Sequence, residues 1–166
     1  MAYTAIDNPE LHFQAELYVG TGSAFATTLD GDEDMQPDLV WLKDRSGTGY
    51  HCLMNAIRGA TKNVYVNDAS VEDTDSFITS FNSDGFTVGA GNSDSNHTAG
   101  DHNYISWNWK ESATSGFDIV EYTGTGSAHT ESHSLSAVPK FWLIKNLTDA
   151  EHWAVYHGTR GATHNS

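Results

Sequence analysis

The sequence predicts an all-β protein, an antiparallel two-sheet sandwich or jelly roll with one unit of about 100 residues and a partial second copy of that unit. Three observations predict this fold. Polar and apolar residues alternate with a period of two in many short segments. Clusters of Gly, Asn, Asp and Ser separate these segments, as turns do. No segment sustains the i, i+3, i+4 pattern of an amphipathic helix over three turns.

An internal repeat accounts for the length of the unit. Residues 13–24 return as residues 117–128, and both copies contain the sequence Gly-Thr-Gly-Ser. Residues 37–43 (PDLVWLK) likewise match residues 139–145 (PKFWLIK). The period of the repeat is the size of one small all-β domain, and it is too long for a solenoid repeat.

The repeat predicts three regions: an N-terminal arm (residues 1–12), a β-sandwich unit (residues 13–116) and a partial second copy (residues 117–166). Half a unit cannot close a hydrophobic core of its own. We therefore expect its apolar face to pack on the first copy, on a neighbouring chain or on sequence beyond residue 166.

Each strand prediction rests on local alternation and on β-branched or aromatic residues. In the first strand, Phe13, Ala15, Leu17 and Val19 share one face. Residues 69–80 are the best candidate for a short helical turn. The other predicted strands of the unit are residues 38–43, 50–57, 63–66, 77–81, 86–88 and 104–109. Those of the second copy are residues 117–123, 141–145 and 153–157.

The aromatic residues divide into core and ligand candidates. Four of the five tryptophans lie in apolar strand segments and are predicted to pack in the core: Trp41, Trp107, Trp142 and Trp153. Trp109 lies near a strand end beside Lys110, and Tyr104 begins the same strand. Exposed aromatic rings can stack on sugars, so Tyr104 and Trp109 are the candidate ligand-binding residues.

The charge of the chain argues against two classes of partner. There are 8 Lys and Arg against 22 Asp and Glu, which gives a formal net charge of −14. A field of that sign repels phosphate backbones and anionic lipid surfaces. We expect no nucleic acid partner and no membrane association.

The N-terminal sequence lacks the basic and apolar regions of a signal peptide, and no segment reaches 18 consecutive apolar residues. We therefore expect synthesis in the cytoplasm without a signal peptide.

The sequence has nine histidines and 22 Asp and Glu as possible metal ligands, whereas Cys52 is its only thiol. The segment DGDED (residues 30–34) is rich in oxygen ligands. Its residues Asp30, Asp32 and Asp34 are the candidate calcium site, although the loop lacks the spacing of an EF-hand. Cys52 follows His51 directly, and adjacent residues of a strand point to opposite faces, so they form no catalytic dyad. We expect no catalytic residues and no cofactor other than calcium.

Several motifs together resemble a known repeat family. They are the opening AYTAIDNP (residues 2–9), the turn SDGFTVG (residues 83–89), the strand YISWNWK (residues 104–110), the motif YTGTGS (residues 122–127) and the segment from HSL to the strand ending in Lys145 (residues 133–145). As a set they resemble a repeat family of marine tailed phages and viral metagenomes. The resemblance implies tandem lectin-like β-sandwich units in virion fibre or appendage proteins, and it brings no catalytic residues.

The expected function is therefore that of a phage virion structural protein, a fibre, tail or capsid-decoration component located in the virion. Its expected partners are other copies of the chain, other virion proteins and a cell-surface glycan. Unpaired strand edges of the half unit would then pair across chains by β-augmentation. Two alternatives stay open: a lectin-like carbohydrate-binding module and a jelly-roll enzyme that degrades glycans.

Overall fold

The computed structural model describes residues 6–99 and 101–160. Two of the predicted regions extend beyond these residues: the N-terminal arm at residues 1–5 and the second copy at residues 161–166. Within the described part, a 3-10 turn at Pro9–Leu11 (η1) precedes eleven strands, and there is no α-helix. The strands are β1 (Phe13–Val19), β2 (Phe25–Thr27), β3 (Leu39–Asp44), β4 (His51–Asn55), β5 (Lys62–Tyr65), β6 (Asp73–Thr74), β7 (Ile78–Phe81), β8 (Phe86–Val88), β9 (Asn103–Trp109), β10 (Phe141–Ile144) and β11 (Ala154–His157).

The unit consists of two antiparallel sheets packed against each other. The larger sheet has the strand order β1-β9-β3-β4-β5-β6, and the smaller has the order β2-β8-β7. In the larger sheet β9, the last strand of the unit, lies between β1 and β3 and pairs with both. Strands β10 and β11 form a separate two-stranded sheet.

The hydrophobic core lies between the two sheets of the unit. The larger sheet contributes Val40, Leu42, Cys52 and Met54, all completely buried. From the smaller sheet and the segment before it come Phe77, Ile78, Phe86 and Val88. Tyr18 and Tyr104 close one side of this core, with their rings stacked at 5.1 Å between centroids.

The all-β sandwich prediction is confirmed, and most predicted strands agree with observed strands to within two residues. Two local predictions are wrong. Residues 117–123 form no strand, and only Phe117 makes an isolated bridge, with Ser112. Residues 69–80 contain no helical turn, and β6 and the start of β7 occupy part of this segment. The short strand β2 was not predicted.

The two faces of the larger sheet differ from the expectation. On β1 the polar Gln14 is buried, as is Tyr18, whereas Phe13, Leu17 and Val19 are 40%, 58% and 53% exposed. On β9 the buried residues are Tyr104, Ser106 and Asn108. The strands bury a hydrogen-bonded set of polar and tyrosine side chains and turn their more apolar face outward.

The tryptophan side chains are also not buried in the core, so the prediction that four of them are core residues is wrong. Trp41, Trp107 and Trp109 lie half-buried on the outer face of the larger sheet, where their rings contact one another. In the second copy Trp142 is 40% exposed, and Trp153 is half-buried.

Asn96 holds the Gly-Thr-Gly-Ser turn of the unit. Its side chain is completely buried, and its Oδ1 accepts hydrogen bonds from the backbone N–H groups of Thr21 and Gly22, both at 2.8 Å. Its Nδ2 donates to the carbonyl oxygens of Ser23 and Gly89. Gly22 has a φ of 72°, and a Cβ there would lie 2.9 Å from the carbonyl oxygen of Thr98, so this turn needs glycine.

None of the helical structure in the described residues is long and apolar enough to cross a membrane.

We expect Asn96→Ala to lower the free energy of unfolding by at least about 3 kcal/mol, because it leaves buried backbone donors and acceptors without partners. Urea unfolding followed by far-UV circular dichroism measures this loss. Asn146→Ala is the matched control, since Asn146 also caps backbone N–H groups but is exposed. Its loss should stay below about 1 kcal/mol. Equal losses in the two variants would contradict the role of Asn96.

The pair formed by Trp41 and His51 makes stability depend on pH. Trp41 Nε1 donates to His51 Nδ1 at 3.1 Å, an acceptor role that only unprotonated His51 can fill. Burial, and then the charge of Lys43, lowers the pKa of His51 from 6.5. The unfolded chain therefore binds a proton here more readily than the folded chain. This contribution to stability is present above pH 6.5 and is lost as the pH falls through the lowered pKa.

We expect the native protein to lose more unfolding free energy between neutral and mildly acidic pH than the His51→Asn variant does. Asn keeps an acceptor for Trp41 and does not titrate. Urea unfolding at a series of pH values measures both slopes, and identical slopes would contradict the assignment.

Candidate functional site

The hairpin β10–β11 repeats the hairpin β3–β4 of the unit, residue for residue. Phe141 pairs with His157 as Leu39 pairs with Asn55, and Leu143 pairs with Val155 as Trp41 pairs with Leu53. The hydrogen bond that closes the hairpin is also repeated. The N–H of Gly158 donates to Lys140 O at 2.7 Å, and the N–H of Ala56 donates to Asp38 O at 2.9 Å. The sequence repeat is therefore a structural repeat.

The turn at the start of the second copy is repeated as well. Gly126 has a φ of 73°, against 72° for Gly22. The Thr125 hydroxyl donates to Ser127 O, as the Thr21 hydroxyl donates to Ser23 O. In the unit this turn is held by Asn96, whereas residues 121–134 of the second copy are all exposed. The Gly-Thr-Gly-Ser turn of the second copy therefore forms without a side chain that does what Asn96 does in the unit.

The hairpin of the second copy exposes the face that forms the core in the unit. Val40 and Met54 are completely buried, but their counterparts Trp142 and Tyr156 are 40% exposed and half-buried, respectively. These two rings stack on each other at 4.8 Å. No residue among 117–160 is buried. The second copy thus presents a core-type surface that the described chain covers only in part.

One backbone edge of this hairpin is open. In the unit, β3 pairs with β4 on one side and with β9 on the other. In the second copy, β10 pairs with β11 alone within the described residues. Lys140 O is bonded to β11, and alternate residues of a strand direct their backbone groups to opposite sides. The N–H and C=O groups of Phe141 and Leu143 therefore point to the open edge.

A few polar contacts attach the second copy to the edge of the unit near β5 and β6. The indole Nε1 of Trp153 donates to Tyr65 O at 2.9 Å. Lys145 Nζ donates to Ala69 O at 3.2 Å, and Glu72 N–H donates to Leu147 O at 2.9 Å. Glu72 is itself fixed by an ion pair with Arg58 at 2.8 Å. These contacts place the hairpin without burying its apolar face.

The outer face of the larger sheet carries a second candidate surface. Phe13 and Trp109 pack at 5.0 Å between ring centroids, and Trp109 also contacts Phe117 at 6.4 Å. Beside them lies a mainly apolar cleft of about 300 Å³, lined by Ile6, Pro9, His12, Phe13, Trp109, Ser115 and Phe117. The buried Nδ1 of His12 has no hydrogen-bond partner. The cleft is thus bordered by three aromatic rings, whereas the unpartnered Nδ1 of His12 is inaccessible to solvent.

The predicted ligand-binding residues separate in the structure. Trp109 lines the cleft, but Tyr104 is completely buried and cannot form a stacking surface for a ligand. Its hydroxyl donates to Ser93 O at 3.1 Å and accepts from the N–H of His97 at 2.9 Å. The ligand-binding assignment of Tyr104 is corrected to a core role, because its inner position on β9 faces the core.

The candidate calcium ligands Asp30, Asp32 and Asp34 all lie exposed on one loop. Gln14 and Glu10 hold this loop through the N–H groups of Gly31 and Asp32. Among the described residues, these three carboxylates do not converge as closely as ligands of one ion do. The calcium site remains a prediction.

Two titratable groups have strongly perturbed environments outside these surfaces. Burial raises the pKa of the Cys52 thiol well above its usual range, so the thiolate nucleophile is suppressed. A side-chain hydrogen bond with Asp118 raises the pKa of Glu111.

Sequence reasoning missed Asn96, Gln14 and the group His97, Asp101 and His102, whose side chains approach one another before β9. The first two are buried polar residues whose partners are distant in sequence, so local alternation gives no signal for them. The spacing His-X-X-X-Asp-His was a usable signal for the third.

The chain was compared with known proteins. No curated protein and no solved structure matches it. The model of a family described as a domain of unknown function (DUF7483) matches residues 8–166. The match includes both the β-sandwich unit and the partial second copy. The chain therefore belongs to the DUF7483 family.

Proposed function

We propose that this chain is a structural protein that works by assembly, and that the open edge of β10 pairs with β10 of a second copy. The observation that carries the proposal is the hairpin β10–β11. It has the register of a core hairpin, an uncovered core-type face and an unpaired backbone edge within the described residues. An apolar, unpaired edge strand is a template for pairing with another chain.

The chemistry of β10 suits symmetric pairing. Its sequence Phe-Trp-Leu-Ile has no charge and no proline, and Phe141, Trp142 and Leu143 are all at least 40% exposed. Residues directly opposite in an antiparallel pair both face the partner strand or both face away from it. The backbone N–H and C=O groups of Leu143 point to the open edge. Pairing Leu143 with Leu143 of the other copy about a two-fold axis therefore satisfies this rule. It places Trp142 opposite Ile144 of the other copy.

The charge of the protein sets the conditions for this assembly. A formal net charge of −14 makes two copies repel each other. Salt shortens the range of that repulsion to about 10 Å or less above 0.1 M, whereas burial of the apolar strand face is not screened. Pairing should therefore strengthen with ionic strength.

A virion component is the setting that we propose for this assembly. The support is the resemblance of the motifs to a repeat family of marine tailed phages, together with a β-sandwich unit and a self-complementary edge. A fibre, tail or capsid-decoration protein must present many copies in a salty medium. Mass spectrometry of purified phage particles that encode the chain should find it as a particle protein, and its absence would contradict this setting.

A second candidate function is carbohydrate binding at the cleft beside Trp109. The rings of Phe13, Trp109 and Phe117 surround it, and aromatic rings of this kind stack on sugar faces. This function is compatible with assembly through β10, because Trp109 and β10 belong to different sheets.

We expect the native chain to be a dimer in multi-angle light scattering at about 0.5 M NaCl and to shift toward monomer at low salt, because charge repulsion is then unscreened. Leu143→Pro should remain monomeric at both salt concentrations. It removes the central N–H of the open edge and leaves the bonds between β10 and β11 in place. Val138→Pro, at a residue 76% exposed and outside any strand, is the matched control and should dimerise as the native chain does.

A native chain that stays monomeric at both salt concentrations would overturn the assembly proposal. So would a Leu143→Pro variant with the native mass. Circular dichroism of each variant checks that the sandwich unit is folded.

For the second candidate, we expect Trp109→Ala to weaken glycan binding by about tenfold or more, because one stacked ring contributes about 1 kcal/mol or more. A glycan array with the native chain identifies the sugar, and fluorescence titration measures the affinities. Trp142→Ala is the matched control and should bind with native affinity. If no glycan binds, or both variants weaken equally, carbohydrate binding at the cleft is wrong.

A further inference from the structure

A group of metal-ligand side chains lies just before β9, in a part of the unit that the proposed function does not use. His97, Asp101 and His102 each offer one ligand atom, and these atoms all lie within 4.8 Å of one another. Asp101 is 75% exposed at its side chain, whereas His102 is 25% exposed. Imidazole nitrogen and carboxylate oxygen are the ligands that zinc and similar ions use in proteins.

A buried carboxylate orients His102. Its Nδ1 lies 2.7 Å from Asp44 Oδ2, and the side chain of Asp44 is only 3% exposed. Asp44 Oδ1 accepts from the N–H groups of Ser46 and Gly47 at 2.8 and 3.2 Å. A carboxylate can only accept, so the proton of a neutral His102 is on Nδ1 and the lone pair is on Nε2. Metal-binding histidines usually have this arrangement, with a carboxylate behind the ligand.

The backbone of His102 is also fixed. Its carbonyl oxygen accepts from the N–H of Gly20 at 2.8 Å, at the point where β9 meets the end of β1. The free Nε2 faces Asp101, with 4.0 Å between His102 Nε2 and Asp101 Oδ1. Two ligands of a tetrahedral zinc ion are about 3.4 Å apart. A rotation of the exposed Asp101 side chain can close that difference.

His97 lies parallel to His102. The ring centroids are 4.2 Å apart, and the planes differ by 3°. An imidazole lone pair lies in the plane of its ring, so two parallel rings cannot both direct a lone pair at one ion, and the His97 ring must turn when an ion binds. The N–H of His97 donates to the hydroxyl of Tyr104, which fixes this residue to the core. Its Nδ1 accepts from the N–H of Ala99 at 3.1 Å, and this exposed hydrogen bond must open when His97 binds an ion.

We propose that His97, Asp101 and His102 bind a divalent transition-metal ion, with zinc as the best match, and that Asp44 is the positioning residue behind His102. Two nitrogens and one oxygen provide three protein ligands, and water completes a tetrahedral set. Calcium is a poor match, because it takes six to eight oxygen ligands. This zinc site is distinct from the calcium candidates Asp30, Asp32 and Asp34.

The ion would have a structural role. Through His97 and His102 the ion would connect the segment next to Asn96 with the start of β9. Through the contact between His102 and Asp44 it would also connect these two parts with the end of β3. An ion that binds the folded state alone stabilises that state in proportion to its occupancy. Zinc should therefore raise the melting temperature of the unit.

Isothermal titration of the chelator-treated full chain with zinc chloride tests the proposal, at a salt concentration where the chain is monomeric. We expect one zinc ion per chain with micromolar affinity, a rise in melting temperature, and a zinc affinity that excess calcium chloride does not lower. Cobalt chloride should give the visible absorption of a tetrahedral site. Asp101→Asn should weaken zinc binding about tenfold or more, and Asp44→Asn should weaken it by about 10- to 100-fold.

Asp101 is exposed, so Asp101→Asn tests the site without threatening the fold, and His102→Ala should abolish binding. The matched control is His129→Ala, because His129 also lies beside a carboxylate, with 3.0 Å between its Nε2 and Glu131 Oε1. Its zinc affinity should equal that of the native chain. Native zinc affinity in both Asp101→Asn and His102→Ala would overturn the proposal. Loss of zinc binding in His129→Ala alone would also overturn it, and so would a native chain that binds no zinc.

Discussion

The pairing of β9 with both β1 and β3 is the constraint on which the unit depends. Among the described strands, β1 joins the larger sheet only through β9. Strand β9 also carries Tyr104, Ser106 and Asn108 into the interior. The amide of Asn108 donates to Gln14 O, so the last strand secures the first by side chain as well as by backbone. The hairpin β3–β4 needs no such long-range partner, since its two strands are adjacent in sequence. The second copy shows this difference. Its hairpin forms with the register of the unit, but residues 119–123, which match part of β1, form no strand without an equivalent of β9.

The sequence was sufficient to predict the fold class and most strands, because alternation and turn residues are local signals. It could not predict which face of β1 and β9 is buried. Leu17 and Val19 are more apolar than Gln14 and Tyr18, yet the latter point inward, where Gln14 bonds to the loop at Gly31 and Tyr18 bonds to Ser95 O. Hydrogen bonds of this kind join residues far apart in the chain, so the local alternation of polar and apolar residues does not predict them. The same limit explains why the sequence pattern alone does not place Tyr104 in the core.

The candidate sites were predictable to different extents. The sequence repeat alone indicates an incomplete second copy, and the structure adds which edge is open and which face is uncovered. The two histidines and Asp101 are neighbours in sequence, but the carboxylate behind them is not, since Asp44 lies 58 positions from His102. The three surfaces use different elements: the edge of β10, the cleft beside Trp109 and the segment before β9. Variants in one need not disturb the others.

The long-range closure of the unit has a consequence for how the chain is made. The residues paired between β1 and β9 are up to 96 positions apart, at Phe13 and Trp109. During synthesis the first strand therefore leaves the ribosome long before its partner exists. High contact order slows folding, and an unpaired nascent strand with Leu17 and Val19 exposed is prone to associate wrongly. The meander β3–β4–β5 can form first and offer β3 as a template for β9. The order of events on the ribosome would then run from the centre of the sheet to its first strand, opposite to the order in which those two parts emerge.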